Sequence, residues 1–317
     1  MNKPDLLYNH IPVMLKEVIF FLNCRPGKIY VDCTLGGSGH SLSILEKTGS
    51  QGLLIGIDQD KDAVAYGWKR LKEFEKNIRL FHANFTDLPE ILNSLNIKGV
   101  DGIIADLGLS LHHIKHSGRG FSFNNDEPLD MRMNINNDLT AHKLVNTLKE
   151  NELGNIFWKY GEETRARRIA REIVKSRKKE PVNSSADLAE IVSRVCPKNK
   201  KGSRYIHPAT KVFMALRIAV NRELENLETF MEQVPGLLNP KARLCILSFH
   251  SLEDRIVKHQ LKSLAKGCTC PPVFPQCVCH QSPKLKILTR KPVMPGQDEI
   301  NQNPMSRSTR LRAAEKI

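Results

Sequence analysis

No apolar run in this 317-residue chain is longer than VIFFL at 18–22, far below the roughly 20 residues that span a bilayer. The opening MNKPDLLYNH has no long apolar segment of the kind a secretory signal needs, so a cytoplasmic protein with no membrane partner is expected. A disulfide framework is equally out of place in a long chain without an export signal. Four of the eight cysteines (Cys24, Cys33, Cys196 and Cys245) are scattered, and Cys33 and Cys245 fall in apolar, strand-like runs where cysteine acts as a small hydrophobe. Apolar residues at 40% and charged residues at 26% give the balance of a globular protein.

What is present is charge, unevenly placed. Residues 1–110 carry 12 basic and 13 acidic side chains, and 111–150 balance at five each. Residues 151–220 hold 16 basic against 7 acidic, and 221–317 hold 15 against 9. A near-neutral first third joined to a basic remainder points to a small-ligand site in one part and a polyanion surface in the other.

The first 110 residues alternate helical and strand patterns. IPVMLKEVIFFL has a helical stripe at 11, 15, 18, 19 and 22; KIYVDC, LLIGID, IRLFHA and DGIIADLGL read as strands. KDAVAYGWKRLKEF reads as a helix with Val64, Trp68, Leu71 and Phe74 on one side. This alternation predicts a parallel sheet covered by helices, an α/β fold. From 111 to about 137 the chain is a polar loop, and from 138 to about 230 it is helical, with one long helix from His207 to about Met231. Strand patterns return at RLCILSF, LKILTR and STRLRAAE. The domains expected are a core at 1–112 and 213–317, interrupted by an inserted helical domain at 113–212.

The segment VDCTLGGSGH, 31–40, places Gly36, Gly37 and Gly39 directly after the first strand. No lysine completes a triphosphate-binding loop, and the third glycine of a dinucleotide fingerprint is missing, because His40, Ser41 and Leu42 follow. Acids, in contrast, end three strands: Asp32, Asp58 and Asp106. Asp58 lies 22 residues beyond Gly36, the place of a ribose-binding acid. In a parallel sheet these ends share one edge, where ligands bind. Backbone open to close approach, with carboxylates for an ammonium, ribose hydroxyls and a sulfonium, favours S-adenosylmethionine over NAD.

HIPVMLKEV, GGSGHS, GIDQD, IIADLGLS, RGFSF, PLDMRM, YGEE, HPATKVFMALRIAVNRELE, SFHSLEDRIVK and NPMSRSTRLRAAE, in this order, resemble the motifs of the bacterial 16S ribosomal RNA cytosine-N4 methyltransferases, the RsmH or MraW family. The resemblance covers nearly the whole chain. It implies a class I S-adenosylmethionine-dependent methyltransferase, with a Rossmann-like sheet and an inserted helical RNA-recognition domain. The implied reaction methylates the N4 amine of a decoding-centre cytosine in 16S ribosomal RNA, within the small ribosomal subunit. Family cofactor positions fall on Ser38, Gly39, His40, Asp58, Phe85 and Asp106, and the family's glutamine position falls on His113. Loop amides and His40 can meet the methionine carboxylate, Asp58 the ribose, and Phe85 the adenine.

For the chemistry, Asp106 or Ser110 can accept a hydrogen bond from the cytosine amine, and Phe121 or Phe123 of RGFSF, beside Arg119, can stack on an extruded base. His250 follows a strand end, either as an acid/base or RNA contact or as a neighbour of a capping box beginning at Ser251. Arg167, Arg171 and Lys175 run along one side of a helix over 165–179, opposite Ala166, Ile169, Ala170, Ile173 and Val174. CTCPPVFPQCVCH brings Cys268, Cys270, Cys277 and Cys279 within twelve positions, a set that can bind zinc or remain reduced. Rival readings are an NAD-dependent oxidoreductase, and a non-catalytic ribosome-assembly protein that binds RNA.

Overall fold

The computed structural model describes residues 12–196 and 207–317, except 269, 272, 273, 277, 280 and 281. Seven strands form one sheet: β1 (Ile29–Asp32), β2 (Leu53–Asp58), β3 (Ile78–His82), β4 (Val100–Asp106), β5 (Leu238–Ser248), β6 (Leu285–Ile287) and β7 (Arg310–Lys316). Their spatial order is β3-β2-β1-β4-β5-β7-β6. β1 to β5 pair in parallel, whereas β7 runs antiparallel to both β5 and β6. This is the strand arrangement of the class I methyltransferase sheet, with the order reversing between β1 and β4, the place where open α/β sheets bind ligands.

Successive residues of each strand serve opposite faces. Val31, Ile55, Ile103 and Ile246 enter one apolar cluster; Tyr30, Leu54, Ile104 and Cys245 enter another. The strands are apolar on both sides because helices cover both faces.

The described residues divide into two compact units: 12–108 with Leu224–Ile317, and the helical unit Leu109–Glu223. The seams expected at 113 and 212 therefore move to 109 and 223. Residue 212 lies inside the helix Ala209–Asn221, whose Val212, Phe213, Ala215 and Leu216 belong to the helical unit's core. The single helix expected from His207 to Met231 is two, Ala209–Asn221 and Glu223–Leu237, separated by Arg222 in the left-handed conformation. β5 begins at Leu238, five residues before the expected start. The Lys61–Arg70 helix also departs from the predicted stripe. It buries Ala63 and Gly67, while Trp68 is 42% exposed. A Cβ on Gly67 would lie 2.6 Å from Leu35 Cδ2, so small residues let this helix close on the glycine loop.

No helix among the described residues is long and apolar enough to cross a membrane.

Asp254 fixes the helix Ser251–Lys266 to β7. It accepts Arg312 Nε at 2.7 Å and Arg310 Nη1 at 2.9 Å. Burial pushes its carboxyl up, but the Arg312 and Arg310 bonds outweigh burial and hold it below the usual range. Asp254→Asn should lower stability by about 3 kcal/mol, because a buried guanidinium loses its counter-charge. The wild-type contribution is present above the unfolded carboxylate pKa of about 4 and disappears as pH falls through the lower folded value. Urea titrations at neutral and acid pH test this: equal losses at both would show that the ion pair carries none of the stability.

Candidate functional site

The glycine loop is built by its backbone. Leu35 N–H donates to Ile57 O at 2.9 Å, tying the loop to β2, and Gly36 N–H donates to Asp58 Oδ2 at 2.8 Å. Gly36 has φ +45° and Ser38 φ +57°, so two of the loop's residues occupy the left-handed region. Ser38 O accepts from Leu42, starting the helix Gly39–Thr48. A Cβ on Gly39 would come within 2.9 Å of Pro12, so this glycine allows the chain before Leu15–Leu22 to close against the loop. Arg70 Nη1 donates to Gly37 O at 2.7 Å from the outside.

The three acids end β1, β2 and β4 on one sheet edge, as the sequence predicts. Their environments differ. Asp32 is 1% exposed, with Oδ1 accepting Thr34 N–H at 3.2 Å and Oδ2 accepting the Ser41 hydroxyl at 2.7 Å. Burial pushes its carboxyl up to about 7, and the charges of Asp106 and Asp58 add to the effect against those two hydrogen bonds. Asp32 therefore braces the loop from beneath. Asp58 is partly exposed, each oxygen accepting one backbone N–H, from Gly36 and from Asp60 at 2.8 Å. Asp106 is also partly exposed; Oδ1 accepts Gly108 N–H at 3.1 Å, and its own N–H donates to Thr34 Oγ1 at 2.7 Å.

His40 changes the expected polarity of the loop's end. Nε2 lies 3.0 Å from the Val13 carbonyl, an acceptor, so Nε2 carries the proton. Burial lowers the imidazole's affinity for a second proton, against the pull of Asp106. Nδ1 is then an acceptor, 3.9 Å from Asp106 Oδ2. Such a ring suits an ammonium better than the carboxylate expected from sequence. With Asp58 and Asp106 on the same edge, the donor set is anionic and fits a cationic, phosphate-free ligand such as S-adenosylmethionine. It opposes a pyrophosphate.

Phe85 sits mainly in the core. It is 6% exposed and meets Phe230 edge-on at 5.1 Å, leaving little ring for an adenine. His250, not Ser251, caps the Ser251–Lys266 helix. Its Nδ1 accepts Glu253 N–H at 3.4 Å, while Glu253 Oε2 accepts Phe249 N–H at 2.7 Å. The capping box thus begins one residue earlier than the sequence suggests, and His250 has a structural task.

In the helical unit, Ser110 Oγ caps Leu111–Lys115 and lies 3.1 Å from His113 Nδ1. Both groups are engaged with one another. Arg119 is buried, its Nη1 donating to the carbonyls of Arg132 and Met133 at 3.0 Å. Phe121 is buried against His113 with ring centres 5.0 Å apart. Phe123 stacks on His207 at 4.5 Å and meets Phe213 edge-on at 5.2 Å. RGFSF accordingly pins its loop from within, and Asn221 fastens the next motif. Asn221 Oδ1 accepts Met133 N–H, and its amide donates to Met131 O, each at 2.8 Å.

The exposed cationic surface lies on Ala166–Arg177, which buries Ala166, Ile169, Ala170 and Ile173 as expected. Arg167 and Lys175 are exposed; Arg171 reaches Glu150 at 3.3 Å. Between this helix and Glu150–Lys159 runs a groove of about 990 Å³, lined by Lys149, Trp158, Arg165, Arg167 and Arg168, with Glu150 among its walls. Trp158 is 64% exposed there. The sequence does not announce Trp158 or the groove, because the residues that line it become neighbours only on folding.

Cys268, Cys270 and Cys279 gather their sulfurs. Cys277 lies outside the described residues.

Residues 7–317 match the MraW methylase family. The chain is 53% identical over 310 residues to a protein of Desulforapulum autotrophicum named ribosomal RNA small subunit methyltransferase H, covering 98% of this chain and 99% of that one. The protein of the same name from Clostridioides difficile is 43% identical over 312 residues, with 98% and 99% covered. Among solved structures, a putative rRNA-methylase of Clostridium thermocellum aligns over 96% of this chain and 93% of its own, at 11% identity and a TM-score of 0.42.

Asp32 generates a pH prediction. An acid whose pKa is raised by folding keeps its proton in the native state while the unfolded chain has lost it. Stability therefore falls as pH rises from about 4, the unfolded value, to about 7, the folded one. Asp32→Asn removes this dependence, so the variant's melting temperature should gain on wild type across that window and run parallel above it. A constant difference from pH 4 to 8 would mean that Asp32 is ionised in the native protein.

Proposed function

The chain belongs to the MraW methylase family, and on that premise we propose that it methylates the N4 amine of a decoding-centre cytosine in 16S ribosomal RNA. It is an S-adenosylmethionine-dependent methyltransferase of small-subunit ribosomal RNA. The base, the atom and the position in the RNA are our reading. The observation that supports it most is the anionic edge: Asp58 and Asp106 partly exposed at strand ends, beside a loop with glycine at 36, 37 and 39.

Asp58, partly exposed at the end of β2 and oriented by the Gly36 and Asp60 amides, would hold the ribose hydroxyls. His40 Nδ1 would accept from the ammonium. Loop amides would meet the carboxylate. Bound there, the donor supplies an electrophilic methyl group on a sulfonium. A cytosine amine is a poor nucleophile, its lone pair delocalised into the ring, so alignment carries much of the catalysis; orientation can contribute about 7–11 kcal/mol in favourable cases. Asp106 would accept a hydrogen bond from the amine, orienting the nitrogen, and would take up the proton that the amine loses as it gains the methyl group. Its Oδ1 is already fixed by Gly108 N–H, which limits its rotation. Ser110, bonded at its helix cap, is the weaker candidate.

The basic groove supports RNA recognition by the helical unit. Arg167, Arg168 and Lys175 supply phosphate contacts, and Trp158 a face on which an unpaired base can stack. With ribosomal RNA as its substrate, the protein would work in the cytoplasm.

Two measurements test the reading. Mass spectrometry of small-subunit RNA from cells lacking the protein, before and after its restoration, should show gain of N4-methylated cytidine at one site; a methyl on carbon or on ribose would reject the assignment. Single-turnover methylation by Asp106→Asn at saturating donor should fall at least 100-fold, the lower range for a lost acid/base or orienting group. An unchanged rate would remove Asp106 from the chemistry. For the RNA surface, Arg167→Ala with Lys175→Ala should reduce the salt slope of binding by about 2, and Trp158→Ala should weaken binding by about 1–3 kcal/mol. Unaltered affinity in both would place the RNA elsewhere.

A further inference from the structure

We propose that Cys268, Cys270 and Cys279 hold a structural zinc ion in the connection between Ser251–Lys266 and β6. Cys268 and Cys279 sulfurs lie 3.8 Å apart, and all three sulfurs fall within 4.8 Å of one another. A disulfide requires about 2.05 Å. Zinc bound to sulfur at about 2.3 Å in a tetrahedron has sulfur–sulfur edges of about 3.8 Å. The Cys268–Cys279 separation matches that edge.

The backbone around the thiols is arranged for ligation. Val278 N–H donates to Cys270 Sγ at 3.3 Å, a bond that favours the thiolate, the ligand form. The ends of the segment are clamped together. Lys284 N–H donates to Leu264 O at 2.8 Å, and Gly267, at φ +71°, passes so close to Pro283 that a Cβ would lie 2.5 Å from its nitrogen.

Between these ends, none of the described residues 268–283 joins the buried core, and Phe274 and Val278 are 48% and 61% exposed. With apolar burial lacking among these described residues, a metal is the usual source of order, as in small coreless structures. The three thiolates leave one position of the tetrahedron to a further ligand.

An all-thiolate set selects a soft ion and excludes magnesium or calcium. Tetrahedral sulfur also suits iron, so the metal's identity is part of the test. The site binds a metal independently of the methyl-transfer reading.

The test uses the full chain, purified under reducing conditions without a metal-chelating column. Elemental analysis should give about one zinc per chain and less than about 0.1 iron. Cys268→Ser with Cys279→Ser should reduce zinc below about 0.1 per chain, while circular dichroism and calorimetric donor binding remain those of the folded protein. Cobalt added to the metal-free wild type should give the near-ultraviolet thiolate charge-transfer band and tetrahedral visible bands. If the double variant fails to fold, Cys270→Ser should still shift that band. Stoichiometric iron, zinc retained by the double variant, or no metal uptake and no cobalt band after refeeding would each overturn the proposal.

Discussion

The bond from Gly36 N–H to Asp58 is the constraint on which the ligand edge depends. It joins the turn after β1 to the end of β2, so that a flexible stretch of backbone and an acid are positioned by one contact. Asp60 N–H then binds the other oxygen of the same carboxylate, and Asp60 itself caps Lys61–Arg70. Loop, strand end and helix start therefore share a single anchor. Backbone amides bonded to both oxygens fix the direction of this carboxylate.

Crowding acids along one edge creates repulsion, and the structure manages it by giving each a different environment. Asp32 is sealed in and tends to keep its proton. Asp106 faces a histidine ring whose other nitrogen is committed to Val13. Burial of Asp32 raises its affinity for a proton, which eases the repulsion among the three acids. The helical unit has the opposite bias, with exposed arginines on a helix whose buried face is wholly apolar. On the proposed reading, a cationic donor would meet the acidic strand ends and a polyanionic acceptor the basic helix, two surfaces built from different parts of the sequence.

Much of this was legible in the sequence. Alternating periodicity located β1 to β4 and the interruption before β5, and the acids were read correctly as strand ends. Legibility failed where a backbone conformation or a small residue decided the outcome. Arg222 adopts a left-handed turn that its residue type does not announce, so two helices read as one. Ala63 and Gly67 face inward because little room exists beside Leu35, which leaves Trp68, the most hydrophobic-looking residue of that helix, outside. The cap at His250 was displaced by one residue because histidine is an uncommon acceptor at that position. Trp158 and the arginines across the groove are neighbours only after folding.

Several of the motifs most specific in sequence prove to be structural in space. PLDMRM closes on itself through Arg132 and Asp130, at 2.8 and 2.7 Å, and is fastened by Asn221. SFHSLED supplies a helix cap and the Asp254 anchor for Arg310 and Arg312. RGFSF is held by carbonyls and ring contacts. At the strand ends, Asp58 and Asp106 are the partly exposed acids, while Asp32 is buried. That arrangement suits the reaction, because the donor carries the reactive methyl and the protein's task is orientation. Rigid placement of two carboxylates, enforced by many residues that never touch the reactants, is what such a task demands of a fold.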